Sequence, residues 1–327
     1  MLPMKQSLPP FKFSPILKSV LWGGERIAPF KSLDTDKRCI GESWEISAVE
    51  GRESVVAGGR DDGLTLSQLV KKYGARLVGE ANFRRDPHSF PLLVKFIDAR
   101  HDLSLQVHPG DELAQSRHNC NGKSEMWYIV DCDPGARVYC GLSRDVSPAE
   151  YLRRVADNSL MEVVTEHESY PGAVFYVPAG RIHAIGSGNL LVEIQQTSDI
   201  TYRIYDYDRR DADGNRRELQ TGLAKDAIDY RAYDDYMLGR SLEAPGITEV
   251  GRCRYFDVKK VLVDGTLDLD VSAIDSFIVM TCIDGELEMS LDGDGSAGLR
   301  RGETLLVPAC ASRLSLKGHA TCITATS

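Results

Sequence analysis

Short apolar runs limit what this chain can fold into. Ser43 to Val49, Leu92 to Asp98, Leu103 to Val107, Met126 to Val130, Val174 to Val177, Leu190 to Gln196, Tyr255 to Val263 and Thr304 to Pro308 are rich in β-branched and aromatic residues and bounded by Gly, Pro, Asp or Asn. Runs of this length and punctuation read as strands. They do not alternate regularly with helices, so the fold class is mainly β, a sandwich or jelly-roll barrel and not a doubly wound parallel sheet. Helices are expected as short insertions. Ser147-Pro148-Ala149-Glu150 supplies an N-cap, a first-turn proline and a capping glutamate, and a second helix is expected over Leu64 to Tyr73.

A chain of 327 residues has room for two domains. With 42% hydrophobic and 27% charged residues it can bury a sizeable core and is neither disordered nor fibrous in composition. The net charge of -9 repels nucleic acid and anionic membranes, which argues against both as partners. An anionic substrate therefore needs local basic residues. Prolines and lysines break the stretch from Met1 to Gly24, so no signal peptide is read there, and no run reaches the length of a membrane helix. Eight cysteines at irregular spacing, without a CxxC pair, read as the reduced thiols of a cytoplasmic protein.

A faint repeat suggests two barrels. Gly172-x5-Pro178-Ala179 recurs as Gly302-x5-Pro308-Ala309, with an apolar strand between glycine and proline each time. The first copy continues Gly180-Arg181-Ile182-His183, whereas the second carries Cys310 for the glycine and Arg313 for the histidine. The second barrel is thus expected to be degenerate and structural. Two segments between the copies are candidates for a linker, the charged Asp206 to Arg217 and the Gly- and Pro-bearing Arg240 to Gly251. The latter is preferred, which divides the chain into a catalytic part, 1–240, and a C-terminal part, 241–327.

Three features carry chemistry. In the strand Leu103 to Val107 and the two residues after it, Ser104, Gln106 and His108 share one face, because side chains alternate with period two. Glu125 opens the run Met126 to Val130, so it is expected inside the fold, where a carboxylate needs a partner such as a metal ion. Pro178 and Gly180 make a tight turn that returns His183 over the barrel mouth. Gln106, His108, Glu125 and His183 form a mixed N/O set without a thiolate, suited to a borderline divalent ion such as Zn²⁺. The other histidines, His88, His101, His118, His167 and His319, are read as surface or hydrogen-bonded residues. Glu112 is the rival carboxylate on generic spacing, but it falls in a turn entering a short inserted helix.

With these residues go Leu21-Trp22-Gly23-Gly24, Gly41-Glu42-Ser43-Trp44-Glu45, Leu93-Val94-Lys95, Gln106-Val107-His108-Pro109, Gly122-Lys123-Ser124-Glu125 and Tyr202-Arg203. Over nearly its whole length the chain resembles the cupin superfamily, and within it the class I mannose-6-phosphate isomerases of the short bacterial form. The resemblance implies cupin barrels with inserted short helices and interconversion of mannose 6-phosphate and fructose 6-phosphate. It places one Zn²⁺ on Gln106, His108, Glu125 and His183, and the catalytic arginine on Arg203. It also lines the site with Lys123 and puts phosphate contacts at Ser104 and Arg209.

Aldose–ketose isomerisation removes a proton from C2, stabilises an enediol-like intermediate and returns a proton to C1. A divalent ion can act there as Lewis acid and template. Arg203 stays protonated, so it is read as stabilising charge on substrate oxygens, with a core ion pair to Asp206 or Asp208 as the alternative. The base is left among Lys123, a zinc-bound water and Glu45. Lys95, Ser104 and Arg209 are donors that could hold the 6-phosphate of the small-molecule sugar phosphate. A non-catalytic metal-bearing cupin that senses a sugar phosphate is the competing reading, and Arg203 and Lys123 count against it. A cupin iron oxygenase is disfavoured by Gln106, which replaces the first histidine of the usual pair.

Overall fold

The computed structural model describes residues 8–210, 213–240 and 245–327. Two strands of the central sheet are covered on both faces, so that even their polar and charged residues are buried. Leu92–Ala99 and Asn189–Gln196 are buried at every position and pair along their full lengths in a seven-stranded antiparallel sheet. Glu125–Cys132 lies on the other side of Asn189–Gln196, followed by Ala173–Val177.

The two faces of that sheet meet different partners. Trp127, Ile129, Phe175, Val177 and Leu191 pack with Val138, Cys140 and Ile185 of a five-stranded sheet, closing an interior between the two. The alternate residues Met126, Tyr128, Val174, Val192 and Ile194 pack instead with Phe256, Val258, Val279 and Ile323 from the C-terminal strands. The five-stranded sheet runs Val164–Glu168, Arg137–Leu142, His183–Ile185, Leu105–Val107, Tyr202–Tyr205. Its outer face is covered by the helices Pro148–Ala156 and Thr221–Ala227, through Tyr151 and Ala224.

The six strands after residue 245 belong to an eight-stranded sheet with its own core, including Met280, Leu287, Leu305 and Leu316. Two members of that sheet come from the other end of the chain. Phe11–Ser14 pairs with Thr304–Val307, Phe11 opposite Leu306, and Val55–Val56 pairs with Phe11–Ser14 in turn. In the Arg240 to Gly251 segment, Gly246–Arg252 is itself a strand, and 241–244 lie outside the described residues. Residues 211–212 of the Asp206 to Arg217 segment likewise lie outside them.

The helices sit where their caps place them. Leu66–Tyr73 starts at Thr65, which forms a reciprocal capping box with Gln68, and Pro148–Ala156 starts at Ser147, whose Oγ accepts the Glu150 amide at 3.1 Å. A third helix, Asp111–His118, is inserted directly after His108-Pro109-Gly110. The fold is mainly β with short helical insertions, as the strand pattern implies.

Candidate active site

His183 opens a strand that pairs on one side with Leu105–Val107, directly opposite Gln106, and on the other with Arg137–Leu142. The turn before it needs Gly180, whose φ of +91° is left-handed and whose amide donates to the His108 carbonyl at 2.9 Å. The two histidine segments are thereby tied to each other through the backbone.

One ligand atom each from His108, Glu125 and His183 lies within 4.8 Å of the others, and all three residues are buried. His108 Nδ1–H donates to the Ile200 carbonyl at 2.9 Å and His183 Nδ1–H to the Arg181 carbonyl at 2.8 Å. Both rings therefore turn an unprotonated Nε2 toward Glu125, whose Oε2 lies 3.4 Å from that of His108 and whose Oε1 lies 3.3 Å from that of His183. Lone pairs face lone pairs across these gaps. Lys123 Nζ stands 3.0 Å from Oε2, yet neither carboxylate oxygen accepts a well-formed hydrogen bond, which in a buried group is costly unless a second cation completes the set. The Gln106 amide closes the group, with Nε2 3.2 Å from His183 Nε2. These donors fit a divalent metal ion.

The charge pattern agrees. Burial first, and the Lys123 charge second, push His108 down to about 3, and burial also lowers His183, so both imidazoles are neutral as metal ligands must be. Burial alone would raise the Glu125 carboxyl, but the adjacent Lys123 charge opposes it, and the carboxyl lies well below the usual range. Lys123 Nζ is 3.0 Å from Glu125 Oε2 and donates to His108 Nε2 at 3.2 Å.

A model of the type I phosphomannose isomerase catalytic domain matches residues 11–130, and one of the mannose-6-phosphate isomerase cupin domain matches residues 246–327. Mannose-6-phosphate isomerase ManA of Bacillus subtilis is 35% identical over 317 residues, 96% of this chain and 98% of that protein. The chain belongs to the mannose-6-phosphate isomerase family. A mannose-6-phosphate isomerase of Streptococcus mutans is 31% identical over 88% of this chain and 89% of its own length. The crystal structure of the mannose 6-phosphate isomerase from Bacillus subtilis superposes with a TM-score of 0.88 at 31% identity, covering 98% of this chain and 99% of that one. Among the described residues no helix is long and apolar enough to cross a membrane, and all eight cysteines are free.

Around the cluster, the other residues singled out from the sequence divide. Arg203 pairs in register with Gln106 and donates through Nε to Ser104 Oγ at 3.2 Å and through Nη1 to the Glu218 carbonyl at 3.1 Å. Asp206 goes to Arg209 and Arg217, and Asp208 to Arg216, in place of an ion pair with Arg203. Burial and then repulsion from Arg217 lower the Arg203 guanidinium. Lys95 is buried on the interior face, its Nζ 2.8 Å from both Glu193 Oε1 and Gln195 Oε1. Glu112 is exposed on the inserted helix.

Glu45 is not brought to the cluster. Its neighbour Trp44 shares a face with Lys95, so Glu45 points to the opposite one, where Oε1 accepts from Lys31 Nζ at 2.7 Å and Ser43 Oγ at 2.6 Å.

Two site neighbours escape a reading by motif. Glu193, opposite both Trp127 and Lys95, accepts from Trp127 Nε1 at 3.1 Å, and burial together with the Glu125 charge raises its carboxyl. As a lone acid in the apolar run Leu190 to Gln196 it could have been found by the argument that found Glu125. Arg217 sits in a charged, turn-rich segment and carries no comparable signal.

Proposed function

We propose that the chain interconverts mannose 6-phosphate and fructose 6-phosphate by moving a proton between C2 and C1, with Zn²⁺ held by Gln106, His108, Glu125 and His183. The observation that carries this reading is the convergence of two Nε2 atoms and the buried Glu125 carboxylate beside an arginine that stands opposite Gln106. Two imidazoles and a carboxylate without thiolate, joined by the Gln106 amide once it turns its oxygen inward, favour zinc over softer ions. Bound there, the ion supplies Lewis-acid charge on the O1 and O2 side of the sugar.

The chain's own residues divide the remaining work. Arg203 keeps its proton, so it donates hydrogen bonds to the oxygen on which charge develops. Lys123, beside both Glu125 and His108, is positioned to exchange a proton with the C1–C2 end. Glu45, on the other face of its strand, has no such part. Ser104 and Arg209 take the 6-phosphate, joined by Arg217. Around Asp206 the guanidiniums of Arg203, Arg209 and Arg217 outnumber the carboxylate, an excess of positive charge suited to a dianion. Lys95, paired with Glu193, balances charge inside the barrel more than it contacts phosphate.

We also propose two units, a catalytic cupin barrel over 1–240 and a cupin-like barrel over 241–327 that has lost its metal ligands. The Gly302 to Pro308 repeat, with Arg313 at the histidine position, supports this, and Phe11–Ser14 would then be an arm of the first unit built into the sheet of the second. Eight free cysteines suit a reducing cytoplasm.

The test is conversion of mannose 6-phosphate by the purified protein, before and after chelation, with Zn²⁺ and Fe²⁺ added back separately. Chelation should abolish turnover and Zn²⁺ should restore it. A protein that holds metal and sugar phosphate without turnover would be the sensor instead.

A further inference from the structure

Lys123 and Glu125 reach the site from a segment whose backbone is held amide by amide. The Gly122 amide donates to Asp111 Oδ1 at 3.0 Å, the Lys123 amide to the Pro109 carbonyl at 3.2 Å, and the Ser124 amide to Gln196 Oε1 at 2.9 Å. Gln196 in turn donates through Nε2 to the same Asp111 Oδ1 at 3.0 Å. Asp111 is therefore behind two of the three amides. The approach is close: a Cβ on Gly122 would lie 2.6 Å from the Asp111 nitrogen.

The second oxygen of Asp111 faces the C-terminal part of the chain. Oδ2 accepts from the Tyr255 hydroxyl at 2.7 Å and from Arg254 Nη2 at 2.9 Å. The Arg254 side chain is 74% exposed, so water and salt screen its contribution. Tyr255 is half-buried. It stands in a tight turn closed by the Cys253 amide to the Phe256 carbonyl at 2.9 Å, and Phe256 is anchored in the core shared with Met126 and Tyr128. Burial first and Asp111 next push its phenol upward, which keeps the hydroxyl a donor. Beside this contact lies a cavity of about 280 Å³, lined by Asp111, Gln196, Arg254 and Tyr255 among others. Space there lets the loop shift if the hydroxyl is lost.

We infer that Tyr255 is a positioning residue for the metal-bearing loop, fixing through Asp111 the amides that place Lys123 and Glu125. The C-terminal part then has a share in the site geometry although it supplies no ligand. The kinetic arm of the test rests on the proposed isomerisation, and the exchange and spectroscopic arms do not.

Tyr255→Phe keeps the ring and removes the donor. Expected are faster amide hydrogen exchange at Gly122 and Ser124 in metal-free protein, an altered visible absorption spectrum of the Co²⁺-loaded protein, and an about tenfold lower kcat with KM little changed, at the low end for loss of an outer partner of a metal site. Asp111→Asn should reproduce these changes more strongly, and Arg254→Ala should leave all three near wild type. Wild-type exchange and Co²⁺ spectra in Tyr255→Phe would overturn the inference, as would Arg254→Ala matching it. Changed exchange and spectra in a protein that never turns over mannose 6-phosphate would uphold the inference and sink the isomerase reading.

Discussion

His108 and His183 present the same ring nitrogen to one carboxylate, because each donates its Nδ1–H to a backbone carbonyl, Ile200 and Arg181 respectively. Both tautomers are set by the protein, so the ligand geometry exists before an ion arrives. Gly180 links the two halves, its amide reaching the His108 carbonyl while its own carbonyl accepts the Asp229 amide at 2.8 Å.

Removing one ring should therefore remove the metal. His183→Ala is expected to lower metal affinity by more than the roughly 100-fold that loss of an outer partner costs, and to lose activity in parallel. Elemental analysis under native conditions should find about one divalent ion per wild-type chain, as one donor set implies. Two equivalents, or full metal content in the variant, would contradict this.

Glu125 and Glu112 make a paired test. Glu125→Gln takes the charge from a buried group facing two Nε2 atoms and should weaken metal binding strongly. Glu112→Gln alters an exposed side chain in the first turn of the Asp111–His118 helix, so it should cost at most about 0.3–1 kcal/mol of stability and leave metal binding unchanged. Metal titrations of the two variants giving the reverse ranking would move the carboxylate ligand.

Strand identity and the residues that converge on Glu125 were legible in sequence because local rules govern them. Period-two alternation put Gln106 and His108 on one face, and an acid at the head of an apolar run announced Glu125. Glu45 shows where local rules stop: it belongs to a motif, but its side chain turns away from Lys95 and toward Lys31, and that shows only once the register with Leu92–Ala99 is known. Pairing of Phe11–Ser14 with Thr304–Val307 spans almost the whole chain and leaves no local mark. Tyr255 and Asp111, 144 positions apart, were hidden likewise.

Asp206 gives a pH signature away from the metal. Burial works against its charge, but hydrogen bonds from Arg217 and Arg209 outweigh it and lower the carboxyl in the folded protein. Its stabilising contribution is then complete above the ordinary aspartate value of about 3.9 and is lost as pH falls through the lower folded value. Urea unfolding of wild type against Asp206→Asn should show a gap of about 1.5–3 kcal/mol at neutral pH that shrinks below about pH 4. A gap that stays constant to pH 3 would mean that the carboxylate charge is not what Arg209 and Arg217 hold.

Arg203 separates catalysis from binding, since it stands beside Gln106 without belonging to the cluster that faces Glu125. If it stabilises charge that appears only in the transition state, Arg203→Ala should lower kcat by about 10² to 10³-fold, as when one oxyanion donor is removed. Metal content should stay at the wild-type level. Arg203→Lys keeps the charge but loses the planar fork that reaches Ser104 Oγ and the Glu218 carbonyl together, so it should recover only part of the rate. Near-normal kcat with a raised KM would assign Arg203 to uniform substrate binding and leave the catalytic burden on Lys123. Loss of metal or of the fold in the alanine variant would make Arg203 a structural brace between the Tyr202–Tyr205 strand and Ser104, with the sensor reading strengthened accordingly.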